Sequence, residues 1–316
     1  MTQSVIVVAG GLSHEREVSL ESGRRVAREL VEAGFDVHQS DMQASLIDLI
    51  DSLDHPVVFP MLHGGAGEDG AAREVFELIG VPYVGASAAA CRVSFDKALA
   101  VPVAARAGLV VPKRVVLPHE MFRDLGASTL MGLIEDRLGL PLFVKPTASG
   151  SALGASRVDR IEDLSAAMVN AYSYGRVAVV EEFIDGVEIA VPVFDLGDGP
   201  QACPPVEIRP VSGVYDFEAR YTAGATTYIC PATLPDDVLA ACGQAAVLAH
   251  TSLRLRDFSR ADIIVRQGTP VFIESSVAPG MTETSLVPLS LETEGWAFDD
   301  SLAALVRQAA ERGGGR

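Results

Sequence analysis

Positive charge is in short supply in this chain: 25 Lys and Arg stand against 42 Asp and Glu, a formal net charge of −17 over 316 residues. With no basic stripe to neutralise a phosphate backbone, nucleic acid is excluded as a partner, and an anionic ligand must be met by local positive charge. Long apolar runs are missing too. Val5-Ile6-Val7-Val8 stops at Gly10-Gly11 with no basic segment before it, and no stretch approaches membrane-spanning length, so neither a signal peptide nor a membrane partner is expected. The four cysteines, Cys91, Cys203, Cys230 and Cys242, form no Cys-x-x-Cys pair and no metal spacing with His; they read as reduced thiols of a cytoplasmic protein. A Walker G-x-x-x-x-G-K-[ST] is absent, which excludes that route to nucleotide binding.

What is present alternates between strand and helix, over a length sufficient for two or three domains. Val5-Ile6-Val7-Val8 suits a parallel strand covered on both faces. Val18, Ser22, Val26 and Leu30 then mark one face of a helix ending near Gly34, with Ser13 as its candidate cap. A second strand opens at Val37, a third runs from Pro56 to Leu62, Ala71 to Leu78 is helical, and Val81-Pro82-Tyr83-Val84-Gly85 is expected as a fourth strand. This is half of a doubly wound α/β unit, whose ligand loops lie at the carboxyl ends of the strands. Gly65-Ala66-Gly67-Glu68-Asp69-Gly70 matches G-x-G-x-x-G, but it follows the third strand and places two acids where a pyrophosphate would lie. Nicotinamide or flavin binding is therefore disfavoured. His63, before that loop, faces the ligand side as either contact or scaffold.

Further on, Val144-Lys145-Pro146 ends a strand and leads into the Gly/Ser loop Ser149-Gly150-Ser151-Ala152-Leu153-Gly154, which is either a phosphate cradle or a plain flexible loop. Val177 to Ile184 and Val187 to Val193, joined by Asp185-Gly186, read as a hairpin carrying Glu181 and Glu188 in apolar runs, where buried carboxylates need partners. Residues 211–224 form a long loop with polar-tipped aromatics, expected as an ordered lid. Asp236 to about Arg254 is helical, and the last helix, around Leu302, Leu305 and Val306, is expected to fray into Gly313-Gly314-Gly315-Arg316. Between them, two β-rich runs flank Gln267-Gly268-Thr269. If that loop has three residues, Asp262 lies opposite Glu274, either as two solvated acids or as a pair of hard-oxygen ligands for Mg²⁺.

Seven segments together resemble the D-alanine–D-alanine ligases of the ATP-grasp superfamily: Gly10-Gly11-Leu12-Ser13-His14-Glu15-Arg16-Glu17-Val18-Ser19-Leu20, His63-Gly64-Gly65 through Gly70, Asp96-Lys97, Val144-Lys145-Pro146, Gly150 to Gly154, Tyr215 to Tyr221, and Pro279-Gly280-Met281-Thr282 to Pro288. They run in family order over nearly the whole chain. The resemblance implies an α/β (α+β overall) ATP-grasp fold: a Rossmann-like domain over 1–97, a small central lid domain over 98–184, and a C-terminal domain over 185–316 carrying the lid loop and the metal site. It implies ATP-dependent joining of two D-alanines through an acyl phosphate, for peptidoglycan precursor synthesis, in a cytoplasmic homodimer. Two Mg²⁺ ions, or Mn²⁺, would be held by Asp262, Glu274 and Ser276. ATP would meet Lys97, Lys145, Ser151, Glu181, Phe183, Glu188 and Arg220. Glu15 and His63 would serve the first D-alanine, and Ser285 and Leu286 the second. Arg260 and the Gly280 N–H would stabilise the oxyanion, while Glu15, Ser151 and Tyr221 would form a hydrogen-bonded set that closes the lid and helps orient or deprotonate the nucleophile. The chain departs from the family pattern at Ser276 (usually Asn), Glu182 (usually Lys), Ala152 (a second Ser) and Arg220 (Lys). A ligase for another amino-acid pair, or a weakened nucleotide- or amino-acid-binding paralogue, are the competing readings.

Overall fold

A computed structural model describes residues 2–215, 219, 220, 222 and 224–314, and its strands fall into three sheets. The first is parallel, in the order β2-β1-β3, from β1 (Ser4–Val8), β2 (Asp36–Ser40) and β3 (Val57–Pro60). The apolar run Val5–Val8 takes the central place because both of its faces are covered. α1 (Arg16–Glu32) packs Val26, Ala27 and Leu30 on one face, and α2 (Ser45–Ser52) and α3 (Ala71–Ile79) cover the other. The expected fourth strand over 81–85 does not form. Only a bridge, Val58↔Tyr83, is made, since Pro82 has no N–H to extend the ladder. Nor does Ser13 cap α1: Glu15 holds that position, and the Ser13 hydroxyl donates instead to the His63 carbonyl (2.5 Å).

Two short helices follow, α4 (Ala88–Phe95) and α5 (Lys97–Ala107). The second sheet is antiparallel, in the order β4-β7-β5-β6, from β4 (Arg114–Pro118), β5 (Leu142–Pro146), β6 (Ser156–Val158) and β7 (Val177–Glu182). α6 (His119–Leu125), α7 (Ala127–Leu138) and α8 (Leu164–Tyr172) accompany it, with Ile134, Leu164 and Met168 in its core. The third sheet runs β11-β10-β8-β12-β13 with β9 on β8, from β8 (Val187–Asp195), β9 (Pro200–Ala202), β10 (Val206–Pro210), β11 (Thr226–Ile229), β12 (Phe258–Arg266) and β13 (Thr269–Ser276). α9 (Asp236–Ser252) and α5 pack on it through Cys242, Ala246, Ala100 and Val101. α10 (Leu286–Glu294) follows, and α11 (Phe298–Arg312) returns to the first sheet, adding Leu302, Leu305 and Val306 to the core of β1 and α1.

Two expectations change here. The segments around Asp185-Gly186 are not a hairpin: β7 pairs with β4 and β5, whereas β8 pairs with β10 and β12. Residues 183–186 thus pass from one sheet to the next, and Gly186 lies so close to β12 that an added Cβ would sit 2.4 Å from the Val265 carbonyl oxygen. Partner choice is decided by the cores that each strand joins, which an Asp-Gly dipeptide cannot specify. In the last hairpin Asp262 does face Glu274, but the turn has two residues, Gln267 (φ 51°) and Gly268 (φ 79°), between the paired Arg266 and Thr269. A bulge between Asp262 and Ile263 restores the register that a three-residue loop would have given.

Candidate functional site

Lys97 reaches the site because Asp96 caps α5, its carboxylate accepting the Ala98 N–H (2.8 Å), so that Lys97 starts the helix. Its Nζ donates to Ser149 O (3.0 Å) and lies 2.9 Å from Glu274 Oε2. Lys145, on β5, pairs with Glu181 on the adjacent β7 (2.6 Å), and both are buried. On β12, Arg260 donates through Nε (2.6 Å) and Nη2 (2.8 Å) to the two oxygens of Asp262, two residues along the same strand face. Each of the facing acids therefore has its own cation. Burial alone would raise the Glu274 pKa, but Lys97, Lys145 and Arg220 outweigh it and bring it down to about 2. Burial would lower the Arg260 pKa; the Asp262 carboxylate more than offsets this and holds it above its ordinary value. Ser276 ends β13 opposite Arg260. Two carboxylates and a neutral hydroxyl beside phosphate-range lysines are hard-oxygen donors of the kind that suits Mg²⁺.

Two cavities meet at this cluster. One is lined by Phe143, Lys145, Arg157, Glu181, Phe183 and Glu188, the other by Glu15, His63, Ser151, Arg260, Gly280 and Ser285. Lys97, Ser149, Tyr215, Arg220 and Glu274 belong to both walls. The first cavity is aromatic and acidic: Phe143 and Phe183 are 6.4 Å apart, and the Arg157 guanidinium lies 4.2 Å over the Phe183 ring. Burial pushes the Glu188 carboxyl up to about 7 despite the Arg220 charge nearby. Glu182, the departure from the family pattern, also lines this cavity, but its carboxylate is engaged, accepting the Lys113 N–H (2.9 Å) and facing Arg266 (3.5 Å). Arg220 stacks 4.4 Å over Tyr215, whose hydroxyl meets that of Tyr228 (2.9 Å).

In the second cavity the Ser151 hydroxyl donates to Glu15. The carboxylate fits only because glycines surround it: a Cβ at Gly64 would lie 2.5 Å, and one at Gly150 2.4 Å, from Glu15 Oε2. Burial lowers the His63 pKa, and both ring nitrogens are engaged, Nδ1 with Ala278 O (2.8 Å) and Nε2 with Ser22 Oγ (3.1 Å). Ser285 stands at the N-cap position of α10 without a side-chain bond to the helix; its hydroxyl instead accepts the Thr282 N–H (2.9 Å) and abuts Gly280, where a Cβ would sit 2.9 Å away. The Gly280 N–H itself donates to no protein group among the described residues. Leu286 begins α10, whose first turn offers backbone N–H groups. Tyr221 lies outside the described residues, as does part of the lid loop (216–218 and 223) and the end of the glycine tail (315–316).

Sequence reasoning passed over two residues of these walls. Glu68, which in the sequence stands only as an acid where a pyrophosphate would lie, lines the second cavity, where burial and the neighbouring Glu15 push its carboxyl up to about 8. Arg157 carried no signal in a three-residue strand, and only the fold brings it over Phe183.

Family models and curated relatives name the D-alanine–D-alanine ligases, and the solved structures include a D-Ala:D-Ser ligase beside them. The family model for the D-ala D-ala ligase C-terminus matches residues 103–307, and that for the D-ala D-ala ligase N-terminus matches residues 38–86. The chain is 39% identical over 310 residues to a D-alanine–D-alanine ligase of Bordetella pertussis, covering 96% of this chain and 94% of the relative. It is 35% identical over 315 residues to one of Desulforudis audaxviator, covering 99% and 100%. Among solved structures, the VanG D-Ala:D-Ser ligase of Enterococcus faecalis superposes with a TM-score of 0.84 at 27% identity, covering 98% of this chain and 100% of that one. The D-alanine–D-alanine ligase of Bacillus anthracis complexed with ATP gives 0.81 at 25% identity, with 98% of each chain covered.

Proposed function

Since the chain belongs to the D-alanine–D-alanine ligase family, we propose that it joins two D-alanine molecules, converting ATP to ADP and phosphate, to supply a peptidoglycan precursor. The observation that carries this reading is the meeting of two cavities at Lys97, Arg220 and Glu274, so that a phosphoryl donor on one side can reach a carboxylate on the other.

The expected units 1–97, 98–184 and 185–316 each hold one of the three sheets, with α5 packing on the third sheet and α11 on the first. ATP lies between the second and third, its base against Phe183 with Glu181 and Glu188 toward the amine and ribose, and its phosphates against Lys97, Lys145, Arg220 and the Ser151 loop. Asp262, Glu274 and Ser276 would hold two Mg²⁺ ions, or Mn²⁺, which supply charge neutralisation on the triphosphate. Glu15 binds the ammonium of the first D-alanine above His63. A carboxylate oxygen of this first D-alanine takes the γ-phosphoryl group and ADP leaves, giving an acyl phosphate. The amine of the second D-alanine, oriented through its carboxylate by Ser285 and the Leu286 N–H at the start of α10, attacks the acyl carbon. Arg260 and the Gly280 N–H stabilise the oxyanion, and phosphate leaves as the carbonyl re-forms. The attacking amine must lose a proton, and the hydrogen-bonded set of Glu15, Ser151 and Tyr221 orients it and takes that proton up, Glu15 being the carboxylate that can hold it.

No helix among the described residues is long and apolar enough to cross a membrane. The cytoplasm is the compartment where ATP is available to it, and a homodimer is the expected assembly. Incubation with ATP, Mg²⁺ and D-alanine should release ADP, phosphate and D-alanyl-D-alanine, read by coupled ADP assay and mass spectrometry. Absence of both ADP and dipeptide would overturn the proposal. D-serine and D-lactate as second substrates, in the same assay, test the amino-acid pair.

A further inference from the structure

The loop that presents Gly280 follows β13 of the third sheet, but the first helix holds it. The Met281 N–H donates to Ser22 Oγ (3.1 Å), His63 Nδ1 meets Ala278 O (2.8 Å), and His63 Nε2 meets Ser22 Oγ (3.1 Å). A carbonyl oxygen only accepts and an amide N–H only donates, so the direction of the chain is forced: Nδ1 carries the proton and Nε2 accepts the Ser22 hydroxyl. Ser22 and Met281 are 0% exposed and His63 4%, so these groups meet their hydrogen-bonding needs through one another and not through bulk water. One turn along α1, Arg25 Nη1 donates to Thr282 O (2.7 Å), and its guanidinium lies 4.6 Å over Phe298. Ser22 and Arg25, three residues apart, share a helix face. Residues 278, 281 and 282 are thus pinned on either side of Pro279-Gly280, whose N–H stays free among the described residues.

We propose that Ser22, acting through His63 and together with Arg25, is a positioning residue for the ligation step, aiming the Gly280 N–H at the oxyanion from outside the substrate pocket. This rests on the ligase reading above. An oxyanion donor contributes only when it is held in place before charge develops, and a displacement near 1 Å costs on the order of 10²-fold in rate. Ser22→Ala removes both bonds at once and leaves the buried Met281 N–H unpaired, so the loop loses its anchor without loss of any group that touches substrate.

The test compares wild type, Ser22→Ala and Arg25→Met in the full chain, measuring kcat, the dissociation constant of ATP, and that of a phosphinate mimic of the tetrahedral intermediate. Expected for Ser22→Ala is a fall of about 10-fold or more in kcat and in phosphinate affinity together, with ATP affinity within about two-fold of wild type. Arg25→Met should move the same two quantities in the same direction by less. The proposal is overturned if both variants keep wild-type kcat and phosphinate affinity, or if ATP affinity falls in step with kcat, which is general loosening. Should Ser22→Ala fail to fold, Arg25→Met decides alone. An inactive wild type would overturn the ligase reading, and this inference with it; an active wild type with unaffected variants overturns this inference only.

Discussion

At the scale of single residues, the site is a set of charges that are tolerable only in pairs. Lys145 and Glu181 lie 2.6 Å apart and buried, and deleting one leaves the other stranded, at a cost of about 3–5 kcal/mol in comparable pairs. Lys145→Met should therefore lower the thermal midpoint and raise KM for ATP at least tenfold. Adding Glu181→Gln should recover most of the stability but none of the ATP affinity; recovery of both would mean that Lys145 does not serve the nucleotide. Ser276 offers the complementary experiment. It ends β13 opposite Arg260, with a neutral oxygen on a short side chain beside Asp262 and Glu274. Ser276→Asn extends that oxygen, so the Mg²⁺ concentration for half-maximal rate should fall several-fold with little change in thermal midpoint. A rate curve against Mg²⁺ that does not move would remove Ser276 from the metal site.

At the scale of elements, legibility followed the range of the cause. The facing of Asp262 and Glu274 was readable because strand periodicity and a short glycine-bearing turn are local, and even the wrong loop length gave the right pair, the bulge compensating for the missing residue. The break between β7 and β8 was not readable: both are apolar runs around Asp185-Gly186, and only long-range partners assign them to different sheets. Arg157 and Glu68 were missed for the same reason, since their importance lies in the Phe183 ring and the Glu15 carboxylate, which the sequence places far away. His250 joins two elements in a way that pH should expose. On α9, 2% exposed, it meets Ser259 Oγ of β12 (2.8 Å), and burial lowers its pKa from 6.5 to about 4, against the opposing charges of Asp195 and Asp257. Above pH 6.5 neither folded nor unfolded His250 is charged, and it makes no difference to stability. As pH falls below 6.5 the unfolded chain takes up the proton first, so stability is lost progressively down to about 4, by roughly 3 kcal/mol in all. His250→Asn keeps a partner for Ser259 and cannot titrate. Urea unfolding of both proteins should show the wild type losing that much more than the variant between pH 7 and pH 4; parallel losses would clear His250 of the effect.

At the scale of the whole molecule, chain order and packing order differ, and one ion pair made on a buried carboxylate binds the difference together. α11 is the last helix, yet it lies on α1 and β1, and its Arg312 reaches Asp257 with both terminal nitrogens (2.7 and 2.8 Å) and the Tyr83 carbonyl (3.1 Å). Asp257, 1% exposed, also accepts the Gly85 N–H (2.6 Å) and stands just before β12 with φ 64°, a backbone conformation that Asp and Asn adopt more readily than most residues. The first sheet's trailing segment, the start of β12 in the third sheet and the C-terminal helix thus meet at a single carboxylate. Arg312→Met leaves that carboxylate buried with one N–H for company, and a loss of about 3–5 kcal/mol is expected. Asp257→Asn in the same chain removes the stranded charge while keeping the positive φ and an acceptor for Gly85. The double variant should therefore be more stable than Arg312→Met alone, even though it carries one more substitution. Thermal or urea unfolding of wild type, both single variants and the double variant measures the coupling directly. If the losses simply add, Arg312 and Asp257 contribute separately, and the C-terminal helix is held by its apolar face alone.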